Sequence, residues 1–200
     1  ANAACRARTF MGTNDARVIA LDARTGIPCA DFGTDGAIKL DTGSLDWPGE
    51  FQITSAPLVS RGVVIVGSAI SDNRRAEAPP GTVRAFDARS GRPRWSFDPL
   101  VHDGIVAGHA NVWAPMSVDE DRGLVFLPTS SPSPDFWGGM RPGNNEHANS
   151  VVALRAETGE LVWSFQTVHH DVWDYDLPAQ PTLARIDTGQ GMRDVVIQPT

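Results

Sequence analysis

Lysine, cysteine and long apolar stretches are scarce in this sequence of 200 residues. Lys39 is the only lysine among 17 basic residues, and the formal net charge is −7. An acidic chain without a basic cluster argues against a nucleic-acid groove. No apolar run approaches the roughly 20 residues that a membrane-spanning helix needs. The sequence opens at ANAACRARTF and stops at VVIQPT after a strand-like run, so we expect a piece of a longer chain.

Only two cysteines occur, and they lie at either end of a strand-like run and a turn. A disulfide between Cys5 and Cys29 would contribute about 3 kcal/mol if the compartment is oxidising. Two buried free thiols fit the sequence equally well. A zinc site is disfavoured, because no CxxC or HxxxH spacing is present.

An internal repeat organises the chain. The segments VIALDARTGIPCADFG (18–33), VRAFDARSGRPRWSFDP (83–99) and VVALRAETGELVWSFQT (151–167) each contain an apolar run, a polar turn with Thr-Gly or Ser-Gly, and a second run. Glycine supplies the positive φ that a tight hairpin turn requires. The last two segments carry a tryptophan at the same place, which favours a role in packing one sheet on the next. The repeat predicts three equivalent hairpins.

Further strand candidates at 56–69, 114–130 and 193–200 lie between these hairpins, and no long helical periodicity is present. About four strands per unit at a large period are typical of β-propeller blades, and three units do not close a ring. We therefore predict an all-β fold with about three blades of a larger propeller. The polar stretches at the following positions are expected to be the loops that carry function: 41–55, 71–81, 101–113 and 132–150.

Two long motifs carry a resemblance to a known family: GHANVWAPMSVDEDRGLVFLPTSSPSPDFWGG (108–139) and QTVHHDVWDYDLPAQPTL (166–183). With the tryptophan-bearing repeats, they resemble the pyrroloquinoline quinone (PQQ) dehydrogenases, most strongly the membrane-bound quinoprotein glucose dehydrogenase branch. The resemblance covers nearly all 200 residues. It implies an eight-bladed propeller with PQQ near its axis, of which residues 1–200 would be part of the catalytic domain.

The resemblance also implies roles for individual residues. Asp174 matches the catalytic aspartate, which takes the proton of the substrate hydroxyl, and Trp113 matches the tryptophan on which PQQ stacks. Thr54, Ser68 and Asn111 match cofactor contacts. From the residues alone, Asp174 could instead cap a turn before Pro178 and Trp113 could be ordinary core. The adjacent His169 and His170 would point to opposite faces of a strand, so one of them is expected to line the pocket.

A metal site follows from the same resemblance. Asp72 and Asn73 match an acidic–amide pair that holds the metal in the glucose dehydrogenase branch, and Ser133 stands where that branch has a threonine. Oxygen ligands suit Ca²⁺ or Mg²⁺, which would act as a Lewis acid. Ser131 stands where alcohol dehydrogenases of the family carry a metal-binding asparagine. Asp171 and Asp176 are expected to be turn or surface groups.

The expected activity is the PQQ-dependent oxidation of an aldose, with glucose to gluconolactone favoured and electrons passed to ubiquinone or another quinone. A polyol or a quinate-like hydroxy acid is the alternative substrate. A non-catalytic periplasmic propeller scaffold is the alternative from another class, but it would need neither Trp113 nor Asp174. The family implies the periplasmic face, with membrane association through segments outside these residues and no nucleic-acid partner.

Overall fold

The computed structural model describes residues 4–100 and 104–200, and within these ranges the chain contains strands and no helix. The all-β prediction is therefore confirmed. The strands are β1 (Arg8–Gly12), β2 (Arg17–Asp22), β3 (Ala37–Lys39), β4 (Phe51–Gln52), β5 (Leu58–Ser60), β6 (Val63–Val66), β7 (Ala69–Ile70), β8 (Val83–Asp87), β9 (Pro93–Phe97), β10 (Ser117–Asp119), β11 (Leu124–Pro128), β12 (Ser150–Arg155), β13 (Leu161–Gln166), β14 (Thr182–Asp187) and β15 (Met192–Ile197).

Two four-stranded antiparallel sheets form complete blades, in the orders β5-β6-β8-β9 and β10-β11-β12-β13. A three-stranded sheet, β1-β2-β3, precedes them, and the hairpin β14-β15 follows. Strands β6 and β11 are buried along their whole length. The sheets of neighbouring blades pack face to face and cover both faces of these strands, which explains their continuous apolar runs. Burial of each Val, Ile or Leu side chain contributes about 1.5–3 kcal/mol.

The three repeats form the same turn. The amide of each repeat glycine donates to the carbonyl four residues earlier, with Gly26 bonded to Asp22, Gly91 to Asp87 and Gly159 to Arg155, each at 2.8 Å. All three glycines have φ of 72–73°, the left-handed region that disfavours other residues. In the first two repeats the aspartate side chain also accepts hydrogen bonds from the backbone amides two and three residues ahead.

Trp95 joins the two complete blades. Its Nε1 donates to the carbonyl of Ala156 at 3.0 Å, in the turn of the next repeat. A Cβ atom on Gly159 would lie 2.6 Å from the indole ring, so only glycine leaves room for this contact. The equivalent Trp163 is 37% exposed and packs on Phe126, with ring centroids 5.8 Å apart.

The first repeat departs from the predicted hairpin. After β2 the returning chain pairs through an isolated bridge between Leu21 and Pro28, and β3, which also pairs with β2, begins nine residues later. Cys29 is fully buried at this break and forms a disulfide with Cys5, whose Cα lies 5.6 Å away. The turn is thus stabilised covalently where the other repeats have a second strand and a tryptophan.

The blades have two unlike ends. Short turns at 61–62, 88–92, 120–123 and 156–160 lie at what we call the turn end. The loop end, opposite, carries the long connections, because an antiparallel meander places alternate connections on opposite edges. These connections are 40–57, 67–82, 104–116, 129–149 and 167–181. All of the predicted catalytic, cofactor and metal residues lie in these connections.

Candidate active site

Three of the long connections are held together around His109. Its backbone forms bridges to Pro80 and to Pro132, and its amide donates to the carbonyl of Pro79 at 3.0 Å. Glycines allow this close approach: a Cβ on Gly81 would lie 2.2 Å from the carbonyl oxygen of His109, and one on Gly108 equally close to a carbonyl of the neighbouring connection. Small residues at these points let backbone pack on backbone.

Asp174 is half-buried at the loop end with φ of 63°, a backbone conformation that aspartate tolerates better than most residues. Burial, followed in decreasing order by the negative charges of Asp176, Asp135, Asp72 and Asp171, raises the pKa of its carboxyl to about 6. A carboxylate with this pKa is a stronger base than a solvated one and is still ionised at neutral pH. Asp174 therefore has the electrostatic character that the predicted catalytic base requires.

Asp176 fixes the indole of Trp113, which contradicts its expected role as a turn or surface group. The Trp113 Nε1 donates to Asp176 Oδ2 and the Ser131 amide donates to Asp176 Oδ1, both at 2.7 Å. Burial raises the pKa of Asp176, and these two hydrogen bonds oppose that increase. One carboxylate thus sets the plane of the predicted stacking surface and links it to the segment that carries Asp174.

Asp171 was expected to be a turn or surface group. It does hold a turn, because its carboxylate accepts hydrogen bonds from the amides of Trp173 at 3.1 Å and Tyr175 at 2.9 Å. It is not at the surface, since it is only 1% exposed and also accepts from Ser131 Oγ at 2.6 Å and Asn149 Nδ2 at 3.1 Å. These side-chain partners are 40 and 22 residues away, and no local pattern predicts them.

The predicted metal ligands lie in two connections that are hydrogen-bonded to each other. Asp72 and Asn73 are exposed in the same loop, and Asn73 has a positive φ of 54°. The buried Ser133 hydroxyl accepts from the Gly108 amide and donates to the Ala76 carbonyl, both at 2.7 Å, so it holds three loops together.

Two residues without a sequence prediction lie beside Asp72 instead. His109 Nδ1 is 3.8 Å from Asp72 Oδ1 and 3.5 Å from Asp135 Oδ1. His109 and Asp135 are both buried, and burial raises the pKa of Asp72. The motif 108–139 contains both residues, but the sequence alone assigned a role to neither.

The family model for the β-propeller domain of the PQQ-dependent glucose/ethanol/alcohol dehydrogenases matches residues 1–200. The chain belongs to this family. It is 38% identical over 206 residues to the quinoprotein glucose dehydrogenase of Escherichia coli (98% of this chain, 26% of that protein). It is 41% identical over 196 residues to the quinate/shikimate dehydrogenase (quinone) of Acinetobacter baylyi (92% of this chain, 24% of that protein).

A solved europium-containing methanol dehydrogenase shares the fold, with a TM-score of 0.79 and 23% identity over 98% of this chain and 37% of its own. The chain spans about a quarter of the length of the two sequence relatives. Within residues 4–100 and 104–200, no helix has the length and hydropathy needed to cross a bilayer.

The three residues that match cofactor contacts in PQQ dehydrogenases differ in their burial and in their hydrogen bonds. Ser68 is buried, and its Oγ has no hydrogen-bond partner among the described residues, which fits a group that contacts a ligand. The Asn111 amide donates to the Ser68 carbonyl at 2.7 Å and accepts from Ser130 Oγ at 3.0 Å, so it positions Ser68. Thr54 is exposed in the 40–57 connection. Direct contact of these three with PQQ stays a prediction.

The two adjacent histidines occupy different environments. His169 is exposed, whereas His170 is half-buried with Nδ1 2.7 Å from the carbonyl oxygen of Gly143. A Cβ on Gly138 would lie 2.0 Å from His170 Nε2, so the 129–149 connection closes over this ring. His170 thus supports the loop that carries Asp135, and a role for either histidine in the pocket stays a prediction.

Proposed function

We propose that the whole protein is a PQQ-dependent dehydrogenase that oxidises an alcohol or the anomeric hydroxyl of an aldose. The observation that carries this proposal is the pair formed by Asp174, a half-buried carboxyl with a pKa of about 6, and Trp113, an indole fixed by Asp176. A non-catalytic scaffold would need neither feature. A half-buried carboxyl close to other carboxylates lowers the stability of the fold, and such groups are typical of functional sites. Membership of the PQQ family supports the same conclusion.

In the proposed reaction Asp174 accepts the proton of the substrate hydroxyl, and Trp113 offers its indole face to a flat cofactor. PQQ, when bound, would supply the quinone that accepts a hydride from the carbon that bears this hydroxyl. Asp176 keeps the indole in place, and Asp171 holds the 171–175 turn by accepting the amides on either side of Asp174. A Ca²⁺ or Mg²⁺ ion would serve as the Lewis acid beside Asp72.

Glucose oxidation to gluconolactone is the favoured reaction, with electrons passed to a membrane quinone. The site would face the periplasm, and membrane association would come from segments outside residues 1–200. The relative named as a glucose dehydrogenase supports this substrate class.

A quinate-like hydroxy acid is the second candidate, and a cleft at the loop end favours it. Asn73, Arg74, Pro134, Phe136 and Trp137 contribute to the lining of this cleft of about 250 Å³. Phe136, Trp137 and Arg74 are exposed. The two aromatic rings could contact the ring of such a substrate, and the guanidinium could bind its carboxylate. The relative named as a quinate/shikimate dehydrogenase supports this candidate.

Dye-linked dehydrogenase activity of the full-length protein tests the proposal, measured with and without PQQ and Ca²⁺ on glucose, other aldoses, polyols and quinate. PQQ-dependent turnover supports the function, and its absence on all substrates together with no PQQ binding refutes it. Arg74→Ala separates the substrate classes. We expect at least a tenfold loss of kcat/KM for quinate and less than a twofold change for glucose if a carboxylate binds in the cleft.

A further inference from the structure

The long connection before β12 packs along the segment that carries Asp174. The Thr167 amide donates to the Asn149 carbonyl at 2.8 Å, and the His170 amide donates to the Asn144 carbonyl at 3.1 Å. Two side chains of this connection reach further, to the backbone on either side of Asp174, and the proposed reaction gives neither of them a role.

Asn149 binds the backbone that follows Asp174. Its Nδ2 donates to the Tyr175 carbonyl at 2.8 Å and to Asp171 Oδ2 at 3.1 Å. The side chain is buried, and its own backbone is fixed, because the Asn149 amide donates to the Ser130 carbonyl at 3.0 Å. The blade therefore holds this donor in place, and the donor holds the end of the 171–175 turn.

Arg141 binds the backbone that precedes Asp174. It is fully buried, and its Nη2 donates to the carbonyl of Asp171 and, at 3.0 Å, to that of Pro134. Its Nη1 donates to Asn145 Oδ1 at 2.7 Å, so the hydrogen bonds of this guanidinium to the described residues go to neutral oxygens. A buried cation with such partners is costly to the fold, which indicates that it serves the segment it touches.

Asp174 needs support from its surroundings. Its φ is 63°, and a residue other than glycine keeps such a backbone conformation only where the surrounding structure imposes it. The Asp171 carboxylate accepts the amides on either side of Asp174, and Arg141 and Asn149 bind carbonyls at the two ends of the same turn. A displacement of a catalytic group by about 1 Å can reduce the rate about 10²-fold.

We propose that Asn149 and Arg141 are positioning residues of the catalytic base: they hold the backbone on both sides of Asp174 and so fix where its carboxylate meets the substrate hydroxyl. This inference rests on the proposed function, since it requires Asp174 to be the base. Their removal is expected to lower kcat more than the affinity for substrate or PQQ, because both side chains act on the backbone of the Asp174 segment.

The first test removes the Asn149 amide from the full-length protein. Asn149→Gly keeps the positive φ of 46° at this position and deletes the donor. With PQQ bound, we expect kcat to fall at least about tenfold, whereas KM and the Kd for PQQ change less than about threefold. Asp35→Gly makes the same kind of replacement at an exposed position with φ of 51° and should keep wild-type kcat.

The second test concerns Arg141. Arg141→Met removes the charge and the donors but leaves a long unbranched side chain in the buried site, and it should show the same fall in kcat with little change in KM. Arg141→Lys retains the charge and a donor group, so it should recover part of the loss. A kcat for Arg141→Lys no higher than for Arg141→Met would contradict a role through these hydrogen bonds.

The pH profile separates positioning from a loss of stability. Burial is the largest cause of the raised pKa of Asp174, so a carboxyl that moves toward solvent in Asn149→Gly should titrate at lower pH. Four carboxylates face it and are unchanged in this variant: Asp72, Asp135, Asp171 and Asp176. We therefore expect the acid limb of kcat to move to lower pH. A variant that only loses stability keeps the wild-type acid limb, and that result would overturn the proposal.

Amide hydrogen exchange of the wild-type protein needs no variant and covers the case in which a variant does not fold. We expect the amides of Trp173 and Tyr175 to exchange about as slowly as those of β12, because the turn is held from both ends. Exchange at the rate of an exposed loop would overturn the proposal.

Asp174→Asn distinguishes this inference from the proposed function. If Asp174→Asn keeps its turnover, Asp174 is not the base, and the positioning role fails with it. If Asp174→Asn loses turnover while Asn149→Gly and Arg141→Met keep the wild-type kcat and acid limb, the proposed function stands and only the positioning role is refuted.

Discussion

At the turn end of the blades, the repeat turns are shaped by hydrogen bonds that reach two to four residues along the chain, as between Asp87 and the amides of Arg89 and Ser90. Bonds between blades, such as that of Trp95 with Ala156, are added to these local ones. At the loop end, the corresponding bonds join residues far apart, as between Trp113 and Asp176, which are 63 positions apart. The first kind of contact forms within a short peptide, because closing so small a loop costs little entropy. The second kind forms only when the blades have already packed.

This difference also separates stability from function. The turn end has repeated chemistry, with glycines in the same conformation and a similar aspartate in two of the three turns. The loop end collects residues with conformations that only the surrounding structure can hold, including positive φ at His109, Ala110 and Asp174. Such strained residues and buried polar contacts are typical of functional sites.

The largest effect is expected from Asp174→Asn at the loop end. The amide cannot accept the hydroxyl proton, so we expect kcat to fall by about 10²–10⁴-fold while PQQ affinity changes little. Turnover and PQQ titration of the full-length protein check this. Asp121→Asn, in the exposed turn at the opposite end, is the matched control and should be neutral. Unchanged turnover in Asp174→Asn would rule out its role as the base.

Asp171→Ala tests whether the loop end depends on long-range contacts. It would remove the acceptor of the Ser131 hydroxyl and of two backbone amides, and one of the three acceptors of the Asn149 amide. We expect about 3 kcal/mol of destabilisation. Asp87→Ala breaks a turn aspartate instead and should cost about 1 kcal/mol. Urea denaturation of both variants measures the difference, and equal losses would show that the two ends do not differ in this way.

Removal of the disulfide tests the turn end of the first repeat. Cys5 and Cys29 are 24 positions apart, and replacing both by serine removes the cross-link between them. The entropy of the unfolded chain then rises, which is expected to lower the free energy of unfolding by about 3 kcal/mol. The disulfide lies beside the Asp22 turn, since the Cys5 amide donates to Asp22 Oδ2 at 2.6 Å. We therefore expect a lower unfolding midpoint with unchanged kcat. A large loss of kcat in a folded variant would contradict the separation of the two ends.

The smallest effect concerns pH. Asp174 acts as a base only when ionised, and burial and neighbouring carboxylates raise its pKa to about 6. Activity should therefore rise with pH through about 6. Asp176→Asn removes the charge that contributes most to this increase, so the pKa of Asp174 should fall and the acid limb should move to lower pH. The pH profile of kcat at saturating PQQ measures this shift, and an acid limb that stays in place would show that Asp176 does not influence the base.

The same carboxyl has a consequence for stability with the opposite sign. Because the pKa of Asp174 is higher in the folded protein than in the unfolded chain, the folded state binds more protons between pH 4 and about 6. Its contribution to stability is therefore present in acid and is lost as pH rises through about 6. This loss begins near pH 4, where the carboxyl ionises in the unfolded chain, and is complete above about 6, where Asp174 is an effective base.

The amino-acid sequence alone predicts the blades, because the repeated glycine turns and alternating apolar runs are local patterns. It also singled out HHDVWDYDLP and Trp113, although their roles came from resemblance. The contact of Trp95 with Ala156, 61 positions away, depends on how two blades pack. Only the tertiary structure decided that Asp171 is buried, that Asp176 holds Trp113, and that Asp72 meets His109 and Asp135. These contacts join loops from separate blades, and no pattern along one loop can specify them, since their geometry is set by how the sheets pack against each other.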